Sequence, residues 1–200
     1  MPTEKELYDK IRSKCWDTSF HSFAFGYVFD KRSQRFGKRI NWLKVFGLLV
    51  PAIVGSTVIA YGLKNVILPY MIDAAVLISV IQFTFSVLAI IYKWDDELSY
   101  AFEASQSYNT LWDRFRKLGE TPPEDIKELE RQYDLLKVEY ISRNQQDTKH
   151  NIHEWEVRKG HRASLREFQK VCVGCGKTPT SIKSTNCDVC GNFNYTLLKK

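Results

Sequence analysis

No nucleophile elbow, no pair of acids in a catalytic context and no glycine-rich strand-to-helix turn occurs in this 200-residue chain. Gly176-Lys177-Thr178 looks like the end of a phosphate-binding loop, but that pattern needs glycine at 171, where Val171 stands. His150 and His153 lie one turn apart, with His161 beyond. The glutamate of an H-E-x-x-H metal helix is missing, so these read as solvated surface histidines. The expected function is therefore not enzymatic, with no small-molecule substrate.

Charge is missing too, over two long stretches. Val45–Leu63 (VFGLLVPAIVGSTVIAYGL) has none, and Val66–Tyr92 has only Asp73 and is clean from Ala74 onward. Each run exceeds the roughly 18 uncharged apolar residues that mark a membrane span and reaches across about 30 Å of hydrocarbon. Only Gly62, Lys64 and a few neighbours are left to turn the chain, which predicts a tight antiparallel hairpin. Two buried helices of a soluble protein are the rival reading, but the rest of the chain lacks the apolar surface to wrap two helices that are hydrophobic all round. Trp42, Tyr61, Tyr92 and Trp94 flank the runs as interfacial anchors.

The basic residues set the topology. Lys31, Arg32, Arg35, Lys38, Arg39 and Lys44 crowd the approach to the first span, the tip has only Lys64, and Lys93 stands at the exit. This asymmetry predicts both termini in the cytoplasm of a multi-pass protein. About forty mostly polar residues precede the first span and no small-residue cleavage site follows, so the span reads as a retained anchor. The net charge of +6 and the 44% hydrophobic content average over these unlike parts. Lys31, Arg32, Arg35, Lys38 and Arg39 are placed to meet anionic headgroups, at about 1 kcal/mol each; nucleic acid is the competing partner for such charge.

The expected organisation is a cytoplasmic or interfacial N-terminal helical region (1–41), a transmembrane hairpin (42–93, spans about 43–63 and 70–92), a cytoplasmic helical region (94–168) and a zinc ribbon (169–200). Residues 4–16 place Leu7, Ile11 and Cys15 on one side of a short helix. The aromatic stretch 20–29 fits either a packed helix or rings at headgroup depth. In the first span Gly47, Pro51, Gly55 and Gly62 share a small-residue side open to a second helix, with Pro51 as a kink. In the second, Ser79, Gln82, Ser86, Ala89 and Lys93 form a polar and small stripe. Interhelical hydrogen bonding is one reading of the stripe. The wall of an aqueous pathway is the other; since two helices cannot enclose a channel, it requires a homo-oligomer. Asp73 points away from the stripe and is expected to cap the second span, with a channel carboxylate as the alternative. Trp94–Leu118 reads as that span's extension, stopped by Gly119. Thr121-Pro-Pro-Glu124 reads as the start of a further helix, capped by the threonine. Its Ile126, Leu129, Tyr133, Leu136 and Tyr140 form a coiled-coil seam for pairing within or between subunits. From Arg143 to Gly160 the pattern thins. Asn194-Tyr-Thr196 is a glycosylation triplet that a cytoplasmic tail would never use.

The sharpest chemistry is in the tail: Cys172-Val-Gly-Cys175-Gly-Lys, eleven residues from Gly176 to Asn186, then Cys187-Asp-Val-Cys190-Gly-Asn. Each C-x-x-C-G is a tight turn aiming two thiolates at one point, and two turns complete a tetrahedral four-sulfur site. In a reducing compartment this reads as structural Zn2+, held by Cys172, Cys175, Cys187 and Cys190, with a redox pair of C-x-x-C motifs as the alternative. Cys15 is left as an inert helix thiol.

The basic and aromatic lead-in, hairpin and long helical region resemble the SLATT superfamily of prokaryotic membrane effectors. The tail spacing is similar to that of the mobilome CxxCx(11)CxxC group. The resemblance implies an all-α membrane protein of the bacterial inner membrane that serves anti-phage or inter-element conflict by assembling into pores once a partner senses infection. A ribbon where a ligand-sensing domain is expected implies activation by a sensor protein or nucleic acid. A membrane-anchored zinc-ribbon adaptor without pore activity is the alternative.

Overall fold

The computed structural model describes residues 3–61 and 68–193. Gly62, Lys64, the side chain of Tyr61 and the Asn194-Tyr195-Thr196 triplet lie outside the described residues. Those described form α1 (Glu4–Tyr61), α2 (Leu68–Ile91), α3 (Trp94–Glu120), α4 (Ile126–Asp147) and α5 (Glu154–Glu167), with no strand among them. Two compact units result, one of Met1–Lys31 with Phe102–Lys200 and the other of Arg32–Ala101.

The short helix expected over residues 4–16 is the beginning of a 58-residue one. Thr3 and Glu6 start it with a reciprocal capping box: the Thr3 N–H donates to Glu6 Oε2 (2.8 Å) and the Glu6 N–H donates to Thr3 Oγ1 (3.3 Å). Nothing in the next fifty residues stops the helix, and Pro51 sits inside it with an exposed ring.

In the unit Arg32–Ala101, α1 and α2 each carry a stretch long and apolar enough to cross a membrane, and in the most apolar window of each no residue is buried. Leu48, Ile59, Phe83 and Ile90 are all more than two-thirds exposed, the pattern of helices that meet lipid. The two run antiparallel. Gly37 lies against Leu98, Gly47 against Gln82, and Val54 lines a groove with Ala75. Among the less exposed residues are Leu43, Gly47, Val50, Val54 and Val58 of α1 and Met71, Ala75, Gln82, Ser86 and Ala89 of α2. Both sets recur at steps of three, four or seven, the seam of a left-handed helix pair.

Two expectations about α2 are corrected. Asp73 lies inside the helix, which begins at Leu68 with Pro69 in its first turn, a place where the missing N–H costs no hydrogen bond. Asp73 is therefore an exposed helical residue and not a cap. The helix also does not run on into α3: Tyr92 and Lys93 form a turn, with Lys93 left-handed at φ 49°. Along the polar stripe Gln82, Ser86 and Ala89 are half-buried, and Ser79 is exposed and lines a groove with Val54 of α1.

The other unit packs the start of α1 against α3, α4 and α5. The aromatic stretch 20–29 is a packed helix here. Phe29 and Phe25 stack on Tyr108 (centroids 5.9 and 5.4 Å), and Phe23 meets Trp112 edge-on at 5.1 Å. The helices approach closely at two glycines. A Cβ on Gly26 would fall 2.7 Å from Asn109 Oδ1 of α3. One on Gly160 of α5 would fall 2.6 Å from the Ala24 carbonyl oxygen and 2.7 Å from Val28 Cγ2 of α1. The seam of α4 is used within the subunit: Leu129, Tyr133 and Leu136 are buried, and Phe115 of α3 meets Tyr133 and Tyr140 edge-on. Deeper in, the Tyr108 hydroxyl donates to Asp147 Oδ2 (2.5 Å), and Arg143 pairs with the same carboxylate at 3.2 Å. Burial and this anionic partner push the Tyr108 phenol well above its ordinary range.

Thr121 does not cap α4. Its hydroxyl donates to the Lys117 carbonyl (3.1 Å) and closes α3 instead, while Asp125 caps α4 by accepting from the Lys127 N–H (3.0 Å). Thr121 and Pro122 each precede a proline, which disfavours helical backbone at both and delays the start. His161 is not a solvated surface histidine either. It packs edge-on against Phe20 (5.2 Å) beside His21. Burial lowers the pKa of both imidazoles; for His21, Asp17 partly offsets this.

Candidate metal centre

The cysteine module follows α5 directly. Gln169 turns the chain at φ 50° and the Lys170 N–H donates to the Leu165 carbonyl (2.9 Å), aiming Cys172 back at the helices. Two equivalent turns follow. In the first, the Gly176 N–H donates to the Cys172 carbonyl (2.8 Å), with Gly176 left-handed at φ 65°. In the second, the Gly191 N–H donates to the Cys187 carbonyl (2.8 Å), and here Asn192 is the left-handed residue at φ 50°. The glycine of each C-x-x-C-G thus has its own reason. Gly176 supplies backbone freedom. Gly191 supplies space, since a Cβ there would lie 2.5 Å from the Thr185 carbonyl oxygen.

The turns bring all four predicted ligands together, their sulfurs within 4.8 Å of one another. Cys172 Sγ is 3.9 Å from Cys187 Sγ, and Cys175 Sγ is 3.8 Å from Cys190 Sγ. A disulfide would need about 2.05 Å. A tetrahedron with metal–sulfur bonds of about 2.3 Å has edges of about 3.8 Å, so the four thiols have the separation a tetrahedral metal ion requires. No disulfide joins any of the cysteines.

Backbone donors prepare the site for negative charge. The Gly174 N–H points at Cys172 Sγ from 3.4 Å. The N–H groups of Cys190 and Val189 pull the Cys187 thiol down to about 7, while burial and the neighbouring thiols push Cys190 up to about 12. Burial therefore disfavours the thiolate at Cys190 until a cation takes the place of its proton.

A residue that sequence reasoning missed completes the surroundings. Arg162 of α5 is only 6% exposed. Its Nε donates to the Ser181 carbonyl (2.7 Å), and its Nη1 lies 3.3 Å from the Cys190 carbonyl oxygen and 3.5 Å from Cys190 Sγ. Four thiolates around a divalent ion leave a net charge of about −2. A buried guanidinium that also ties the second cysteine turn and the segment before it to α5 offsets part of it. Only a basic residue in a helix that had itself gone unrecognised could have signalled this. Beneath the sulfurs, Cys172 and Cys190 share an apolar cluster with Phe20 and Leu165, flanked by Phe168 and Cys187. The module therefore sits on α1 and α5 and does not hang free.

The remaining sequence-predicted residues do not gather at one place. Gln82 lies against Gly47, where an added Cβ would come within 2.7 Å of its Nε2, while a Cβ added at Gly55 would meet nothing within 4 Å. Ser86 is half-buried, and Lys93 holds the turn after α2. Of the basic residues, Arg32 is buried and so unavailable to headgroups, and Lys31 pairs with Asp30 at 3.3 Å. Arg35, Lys38 and Arg39 are exposed.

No curated protein and no solved structure matches the chain. A family profile described as Mobilome CxxCx(11)CxxC protein matches residues 12–193. The match takes in both apolar helices as well as the cysteine turns, and the chain belongs to the mobilome CxxCx(11)CxxC family.

Proposed function

We propose that this protein is a non-enzymatic membrane effector of a prokaryotic anti-phage or mobile-element conflict system. Its hairpin lies in the inner membrane with both termini in the cytoplasm, and on triggering it oligomerises into a pore. The observation that carries the reading is the pair of membrane-length helices with no buried residue in their most apolar windows in a chain of a mobilome family. The resemblance of the hairpin region to SLATT effectors supports it. Zn2+ bound by Cys172, Cys175, Cys187 and Cys190 has a structural role, because a closed four-cysteine site leaves no open position. The module is where a sensor protein, or nucleic acid, makes contact, and a trigger that prefers the assembled state shifts the population toward it.

Gln82 and Ser86 decide how the pore is built. In a single hairpin they face α1, with the Gln82 amide against Gly47, so lining a pore requires the helices to rotate on assembly. The same packing favours the second reading, a membrane-anchored zinc-ribbon adaptor whose hairpin never opens. Purified full-length protein in dye-loaded vesicles separates the two, with and without the neighbouring gene product. A pore releases dye, and replacing Gln82 and Ser86 by leucine abolishes release while insertion persists. Silence in every oligomeric state leaves the adaptor.

A further inference from the structure

In the unit Arg32–Ala101 the two apolar helices do not close on each other along their whole length. Where α1 approaches its basic end, a groove of about 660 Å³ remains between them, a volume in the range of built ligand sites. Trp42 and Phe46 of α1 form one wall, and Ile81 and Phe85 of α2 form the other. From Arg39 to Phe46 the groove extends about 10 Å along the helix, much of the depth of one bilayer leaflet. Its mouth holds Arg39 and Trp94.

The state of Arg39 distinguishes this groove from a packing defect. Its guanidinium lies over the Trp94 ring at 5.4 Å and the Phe36 ring at 5.8 Å, with no carboxylate partner among the described residues. A guanidinium whose recorded neighbours are two aromatic rings and no carboxylate has N–H donors left for an anion, and its fork matches two oxygens of a phosphate. Lys38 and Lys44 flank it and are also exposed. A fixed cation with free donors therefore stands at the head of an apolar channel directed along the hairpin.

We propose that this groove is a binding site for an anionic phospholipid, its phosphate on Arg39 and one acyl chain between Trp42–Phe46 and Ile81–Phe85. The charge chooses the headgroup, and the apolar walls choose a ligand that carries a chain. Because the site opens sideways from the hairpin, an occupied groove takes the place of a neighbouring helix. The proposal rests on the bilayer placement of the hairpin given above.

Trp42 and Trp94 are built-in reporters. The full-length protein is reconstituted in phosphatidylcholine vesicles containing a minor fraction of either brominated phosphatidylglycerol or brominated phosphatidylcholine, and tryptophan quenching is measured. The anionic lipid is expected to quench as if enriched about fivefold over the neutral one. Arg39→Gln removes the preference, Lys44→Gln keeps most of it, and millimolar glycerol phosphate leaves it unchanged. Equal quenching by the two lipids in the wild type overturns the proposal without any variant. Equal losses in Arg39→Gln and Lys44→Gln overturn it in favour of general surface attraction. Reversal by glycerol phosphate overturns the lipid as occupant. Vesicle flotation separates the two levels: a chain that floats but shows no preference defeats the site alone, and one that does not float defeats the bilayer placement with it.

Discussion

Arg162 shows how much a single side chain can hold. It reaches from α5 to the Ser181 carbonyl between the cysteine turns and to the carbonyl and sulfur of Cys190 on the second turn, a position from which outer partners tune metal affinity by about 10- to 100-fold. Arg162→Ala is expected to weaken binding by that amount in competition with a chromophoric chelator, and Arg162→Lys to recover only part, since an ammonium cannot span the same acceptors. Cys15 makes the opposite case, a thiol whose interest is its isolation. Fully buried on α1, it is held up at about 11 against an ordinary 9.0 by loss of solvent. The unfolded chain releases this proton near pH 9 while the folded chain keeps it, so stability is full below pH 9 and falls as pH rises toward 11. The loss amounts to about 2–3 kcal/mol. Denaturant titrations across that range should show the decline in the wild type and a flatter profile in Cys15→Ala.

Among the elements, α5 is the one the sequence hid. Its buried face is Gly160, Ala163, Ser164 and Leu165 with Glu156 and Arg162, small and charged residues that read as a solvated stretch. It packs because Gly160 lets it touch the α1 backbone and because the Ser164 hydroxyl donates to the Phe20 carbonyl (2.9 Å). Gly160→Val would press two methyls into the Ala24 carbonyl. The expected cost is at least about 1–3 kcal/mol, read as a lowered thermal midpoint and loosened ring contacts around Phe20. The elements that were legible announced themselves by chemistry no tertiary contact could disguise. Two charge-free runs of this length leave few physical readings, and paired C-x-x-C-G turns at this spacing have little other use. The α4 seam was visible for the same reason, although its partners, Phe115 and Lys14 above Tyr133, depended on contacts far apart in the chain. The start of α4 was misplaced because Thr-Pro-Pro-Glu carries a capping pattern and a proline constraint at once, and the constraint won. The unbroken length of α1 was hidden by the change from polar to apolar residues along it, which looks like a boundary although the backbone has no reason to stop.

At the scale of the whole molecule, the two halves of the sequence depend on different sources of stability. In the proposed bilayer setting the hairpin depends on an apolar solvent, and its helices satisfy their own backbone groups. The cysteine module is built of turns, and its metal would contribute on the order of 10 kcal/mol of folding free energy. Stripping the metal with a strong chelator should therefore leave the helical circular dichroism largely intact while the thiols become titratable. A wholesale loss of helix on chelation would mean that α1 and α5 need the module as much as it needs them. The module's four ligands are also unequally sheltered: Cys172 and Cys190 are buried, Cys187 is intermediate and Cys175 is exposed. Approach from solvent is thus one-sided. An alkylating reagent given limited time should mark Cys175 first, then Cys187, and mass spectrometry of the tryptic fragments would read that order directly. The outer edge of the sulfur tetrahedron is where the metal would be surrendered, and the edge pressed against Phe20 and Leu165 would be the last to let go.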